Sequence, residues 1–95
     1  MKLSKLKKIK VCGLEWTIEP EEGLVAERNA FAEIRPREQR IVYEKISLPE
    51  RISNSIIHEV LEIINNEYDL EVTHKDLTII TNCFYEFLVS NDLMK

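Results

Sequence analysis

The stretch His58-Glu59-Val60-Leu61-Glu62 and the chain's second histidine, His74, supply residue types that bind and use a metal ion. On a helix, His58 and Glu62 stand four apart, one above the other on a single face. Imidazole and carboxylate both ligate Zn²⁺, and this spacing brings two side chains to one ion. Glu59 directly follows the histidine, the place of the general base in the HExxH signature of zinc peptidases. Here the fifth position is Glu62 instead of a second histidine. With His74, the set His58, Glu62 and His74 would leave one position of a tetrahedral ion open for water.

Reach is the difficulty in this scheme. His74 follows a short connection from the end of the first helix near Tyr68, whereas His58 lies several residues upstream at ~1.5 Å each. Either the second helix crosses back toward the first, or Glu33 or Asp76 serves as the third ligand. A structural reading competes. At ~100° per residue the His58–Glu62 face, shared with Arg51, Ser55 and Asn65, lies opposite the apolar stripe. It is then the polar side of an amphipathic helix, where such a pair contributes only ~0.2–0.5 kcal/mol.

The elements that must position these residues divide the chain in two. From Ile9 to Ile18 apolar residues alternate around Gly13, the pattern of a β-hairpin. The segment "PEEGLVAER" reads as a loop. A second hairpin is expected from Ala30, Ala32 and Ile34 to Ile41 and Tyr43, turning at "RPREQ". Ser47 and Glu50 form the two ends of a capping box, with Pro49 in the first turn. Ile52, Ile56, Val60, Ile63 and Ile64 then recur at helical spacing, widened by Ile57 and Leu61. Thr73 and Asp76 repeat the capping device before a second stripe of Leu77, Ile80, Phe84, Phe87 and Leu88. Trp16, Phe84 and Phe87 read as core. The expected fold is α+β: a small antiparallel sheet made of two β-hairpins, packed against two C-terminal helices. The 95 residues form a single domain spanning 1–95, with hairpins over about 6–46 and helices over 47–68 and 73–92.

Composition narrows the function. Hydrophobic residues are 44% and charged residues 32% of the chain, as in a folded soluble domain. No apolar run is long enough to span a membrane. The start, "MKLSKLKKIK", has no apolar core of a secretory signal, so a cytoplasmic location is expected. Cys12 and Cys83 fit no CxxC pattern and read as packed, reduced thiols rather than nucleophiles. The clustered N-terminal lysines have no interleaved aromatics and the net charge is −4, which speaks against a nucleic-acid partner. With only Gly13 and Gly23 available, the chain has no glycine-rich phosphate loop.

The segments "AEIRPREQRIVYE", "SLPERISNSIIHEVLEIINNEYDL" and "CFYEFLVSND" resemble small phage and prophage proteins related to the ImmA/IrrE-type zinc metallopeptidases. The likeness covers nearly everything after Ile9. It implies a minimal zincin-like arrangement in which His58 matches the first histidine ligand. Glu59 matches the catalytic glutamate that activates water for attack on an amide carbonyl. Glu62 stands where the second histidine ligand belongs, giving a variant HExxE motif. A carboxylate there removes positive charge from the site and weakens the acidification of water. The expected function is a metal-dependent hydrolase using Zn²⁺. The alternative is a non-enzymatic phage accessory protein that binds and modulates a host or phage protein, as a monomer or a homodimer.

Overall fold

The computed structural model describes residues 2–94. After a 3₁₀ turn at Leu3–Lys5, strand β1 (Lys8–Val11) pairs antiparallel with β2 (Leu14–Glu21), setting Ile9 opposite Trp16. The two-residue turn between them has Cys12 at φ 52° and Gly13 at φ 82°. Positive φ at both turn positions matches the right-handed twist of the strands. Cys12 thus lies in the turn and not in a strand.

The segment expected as a loop is more ordered than its composition suggests. Strand β2 runs on through Pro20 to Glu21, and a short helix α1 (Leu24–Arg28) follows Gly23 at φ 80°. Leu24 is fully buried, and the Val25 N–H donates to the Glu44 carboxylate at 2.8 Å. One apolar anchor and one carboxylate from a neighbouring strand hold the turn of helix in place.

Strand β3 (Ala32–Arg35) pairs antiparallel with β4 (Arg40–Glu44) across a 3₁₀ turn at Pro36–Glu38, with Ile34 opposite Ile41. Strand β4 also pairs with β2, in parallel, with Ile18 beside Ile41. The sheet order is β1-β2-β4-β3. This corrects the expected antiparallel sheet to a mixed one. Alternation identifies which face of a strand is buried but not its partner, and a parallel neighbour requires a long crossover, here through α1 and β3. Ile41 and Val42 are consecutive and both fully buried, so β4 is covered on both faces.

Helix α2 (Pro49–Glu67) lies on the sheet, where Ile56 and Ile63 join Val11, Trp16, Ile18 and Ile41 in the core. Its cap differs from the expected box. Leu48 is the cap residue, extended at ψ 149°, and no side chain bonds the first turn. A residue before proline is driven to extended conformation. That moves the helix start one residue past the position from which Ser47 could cap.

Helix α3 (His74–Ser90) begins as expected, with the Asp76 N–H donating to Thr73 Oγ1 at 3.1 Å. It packs on α2 rather than across the sheet. Only one side of α3 is therefore covered, and Leu77 and Thr81 are its buried residues. Phe84 and Phe87, expected in the core, remain 49% and 52% exposed, and Cys83 is exposed as well. No helix among the described residues is long and apolar enough to cross a membrane.

Candidate metal centre

The loop between the helices brings His74 back toward His58. After Tyr68 the chain reverses through Asp69 and Glu71, both at positive φ (51° and 62°). Asn65 fastens the returning chain. Its Nδ2 donates to the Val72 carbonyl at 2.9 Å, and the Val72 N–H donates to its Oδ1 at 3.0 Å. Val72 is thereby carried back to the level of Asn65. Thr73 is extended at ψ 156°, and two extended residues cover ~7 Å, equal to the rise of about four to five helical residues. His74 therefore arrives beside the stretch between His58 and Glu62. At the far end, Asn54 Nδ2 donates to Asn82 Oδ1 at 3.2 Å and keeps α2 and α3 antiparallel neighbours.

The consequence is a cluster. His58, Glu62 and His74 each present a ligand atom, and these lie within 4.8 Å of one another. The two imidazole centroids are 4.8 Å apart in an edge-to-face arrangement. Donors on a tetrahedral zinc ion, at ~2.1 Å from the metal, sit ~3.4 Å apart. Closure by ~1 Å of side-chain rotation would satisfy that geometry. His58 and Glu62 are half-buried and His74 is exposed, so the cluster has an open side.

Thr81 lies against His58. Its hydroxyl donates to the Leu77 carbonyl at 2.7 Å, so the Oγ1 that lies 3.5 Å from His58 Nδ1 is available there only as an acceptor. That contact favours the tautomer with hydrogen on Nδ1 and the lone pair on Nε2, the arrangement by which a neighbouring group orients a metal-binding histidine. Burial first, and His74 second, push the His58 pKa below 6.5, partly opposed by Glu62. The neutral imidazole that a metal requires is thus the favoured form.

Glu59 is 8% exposed. Its pKa is raised from 4.5 to about 7, by burial above all and then by the negative charges of Glu62 and Glu33. No cation pairs with it among the described residues. A carboxyl group poised near neutrality beside two imidazoles suits proton transfer. A cavity of about 300 Å³ opens here, lined by His58, Glu59 and His74 together with Phe31, Arg51 and Asn54. A larger, shallower depression of about 690 Å³ near Lys5, Lys7, Glu19 and Tyr43 contains none of these groups.

The other candidates for third ligand are engaged elsewhere. Glu33 pairs with Arg28 at 2.9 Å and Arg35 at 3.1 Å, and Asp76 stays in the capped first turn of α3, outside the cluster. On the face carrying His58, Ser55 is buried, His58, Glu62 and Asn65 are half-buried, and Arg51 is exposed. Thr81 was not singled out by the sequence. Its only signal there is its place one turn after Leu77 on the covered side of α3. Comparison of the chain with family models, with curated proteins and with solved structures gives no match.

Proposed function

We propose that this chain is a small metalloprotein of the HExxE type, with His58, Glu62 and His74 as ligands of a single zinc ion and Glu59 as general base of a metal-dependent hydrolase. One observation carries the reading: three ligating side chains from two helices converge, with an open side, next to a buried carboxyl group whose pKa is raised to about 7. A bound zinc ion supplies Lewis acidity, polarising an amide carbonyl and making water easier to deprotonate. Glu59 accepts the proton from the attacking water and passes it to the leaving nitrogen. Arg51 and Asn54 line the space in which a substrate would lie. The resemblance to phage proteins related to ImmA/IrrE-type metallopeptidases, and with it a minimal zincin-like fold of two hairpins and two helices in a cytoplasmic protein, is part of this proposal.

The test is elemental analysis of protein purified without a metal-affinity tag, paired with thermal melts in chelator. Equimolar zinc, a lower melting temperature after chelation and loss of zinc in His58→Ala support the reading. Metal-free protein that cannot be loaded, and that melts identically with and without chelator, ends it.

A second reading is favoured by the exposed apolar stripe of Ile80, Phe84 and Phe87 on α3. A non-enzymatic accessory protein would cover such a stripe with a protein partner, a second copy of the chain included. A Phe84→Glu variant that stays folded but loses association with that partner or copy supports this reading. A chain that stays monomeric at high concentration excludes the second copy.

A further inference from the structure

The cavity beside the ligand cluster contains a cation that the proposed hydrolysis does not use. Arg51 lines it, and its guanidinium lies over the Phe31 ring at 4.0 Å from the centroid. No carboxylate pairs with Arg51 among the described residues, whereas Arg28, Arg35 and Arg40 are all held in ion pairs. An arginine held over an aromatic ring through its guanidinium carbon still has N–H groups to offer a carboxylate, which they can meet through two parallel hydrogen bonds. Asn54 lies between Arg51 and His58 on the same cavity wall. Its Nδ2 is committed to Asn82, which leaves its Oδ1 free to accept from a ligand N–H.

The geometry points to an acidic ligand: we infer that the cavity binds a short peptide whose carboxylate is held by Arg51 while the amide to be cleaved lies at His58, Glu62 and His74. Arg51 and His58 are separated by about two helical turns, ~10 Å along α2. A carbonyl at the ligand cluster and a carboxylate two residues further on span ~7 Å of extended chain. With contacts of ~2–3 Å at each end the reach is ~11–13 Å, enough to cover that separation. The cavity volume of about 300 Å³ is at the small end for ligand sites, which suits a fragment of this length. In the reaction, water oxygen bonds to the carbonyl carbon and the C–N bond breaks. The proton taken up by Glu59 goes to the departing amine, which belongs to the fragment held by Arg51.

The substrate class rests on the proposed hydrolase, but the anion site can be tested apart from it. Three probes are titrated into the full chain, with and without zinc: acetyl-trialanine as the free acid, its C-terminal amide, and acetyl-Ala-Ala-Glu-amide. Binding is followed by calorimetry. A main-chain carboxylate site predicts that the free acid binds at least tenfold more tightly than the amide. A side-chain site predicts the preference for the glutamate probe instead. In either case Arg51→Gln abolishes the preference, Arg51→Lys keeps part of it, and the zinc content of both variants equals that of the parent. Equal binding of all three probes, or a preference that survives Arg51→Gln, overturns the inference. A carboxylate preference in protein that takes up no zinc retains the anion site while removing the hydrolase reading.

Discussion

Burial of Glu59 should make the metal-free protein lose stability as pH rises, and Glu59→Gln should cancel that loss. The folded chain holds the Glu59 proton up to about 7, whereas the unfolded chain releases it near 4.5. At about 1.4 kcal/mol per tenfold change in proton affinity, the ionised form is disfavoured in the folded state by roughly 3 kcal/mol. The sign follows from proton counting. Between those two values the unfolded chain binds fewer protons than the folded one, so stability falls with rising pH. The contribution of the protonated form is complete below 4.5 and gone above about 7. Total stabilities are about 5–15 kcal/mol, so a change of this size is readily measured. The experiment is urea denaturation of chelator-treated parent and Glu59→Gln protein from pH 4.5 to pH 8. The glutamine is neutral and nearly isosteric, and subtracting the two curves removes the other titrating groups. The difference should be small at the acid end and reach roughly 3 kcal/mol in favour of the variant at the basic end. A difference that stays flat across the range refutes the buried, unpaired carboxyl. Adding one equivalent of zinc should shrink the difference, because a cation nearby favours the carboxylate.

Two further variants test how the ligand cluster is positioned. Asn65→Ala removes both hydrogen bonds to Val72 and should cost about 1–3 kcal/mol. It should also weaken zinc binding by freeing His74, as read by competition with a chromogenic chelator; unchanged zinc affinity would show that the loop is not what delivers His74. Thr81→Val keeps the shape of α3 but removes the oxygen facing His58 Nδ1. It should lower zinc affinity about tenfold while costing about 1 kcal/mol of stability, and a stability loss with zinc affinity intact would limit Thr81 to packing.

The sequence named the side chains of the candidate site but not how they come together. His58, Glu59, Glu62 and His74 are legible from residue type and spacing, and the apolar stripe of α2 is read correctly as core. What spacing could not supply was the path of residues 68–73, because the return depends on side-chain bonds from Asn65 and on positive φ at Asp69 and Glu71, neither a residue that announces a left-handed turn as glycine does. The same limit applies to the sheet, where alternation finds β2 and β4 but not their parallel pairing. Helix α1 was missed because its stability comes from Leu24 and the Glu44 carboxylate across the chain, and not from its own five residues. The stripe of α3 was overread. Phe84 and Phe87 recur at core spacing, yet α3 stacks on α2 and leaves that stripe half-exposed.

The way α3 meets α2 is itself an argument about function. The seam between the helices is closed on one side by Asn54 with Asn82, His58 with Thr81 and His74, and Asn65 with Val72. Glu59 is buried close by without a cationic partner. Meanwhile Ile80 and Phe84 line an apolar groove with Ile57, Val60 and Leu61 of α2 and, like Phe87, stay about half exposed. A sequence optimised for stability alone would bury these apolar side chains fully and leave Glu59 in solvent, since an unpaired buried carboxyl group is destabilising and aliphatic packing is not. Departures of this kind from local stability rules concentrate where a protein does chemistry or binds something. Ordinary helix surface does not explain them, because ordinary surface would be solvated. A cation bound by His58, Glu62 and His74 would bring positive charge close to Glu59, turning its raised pKa from a cost into the basis of proton transfer.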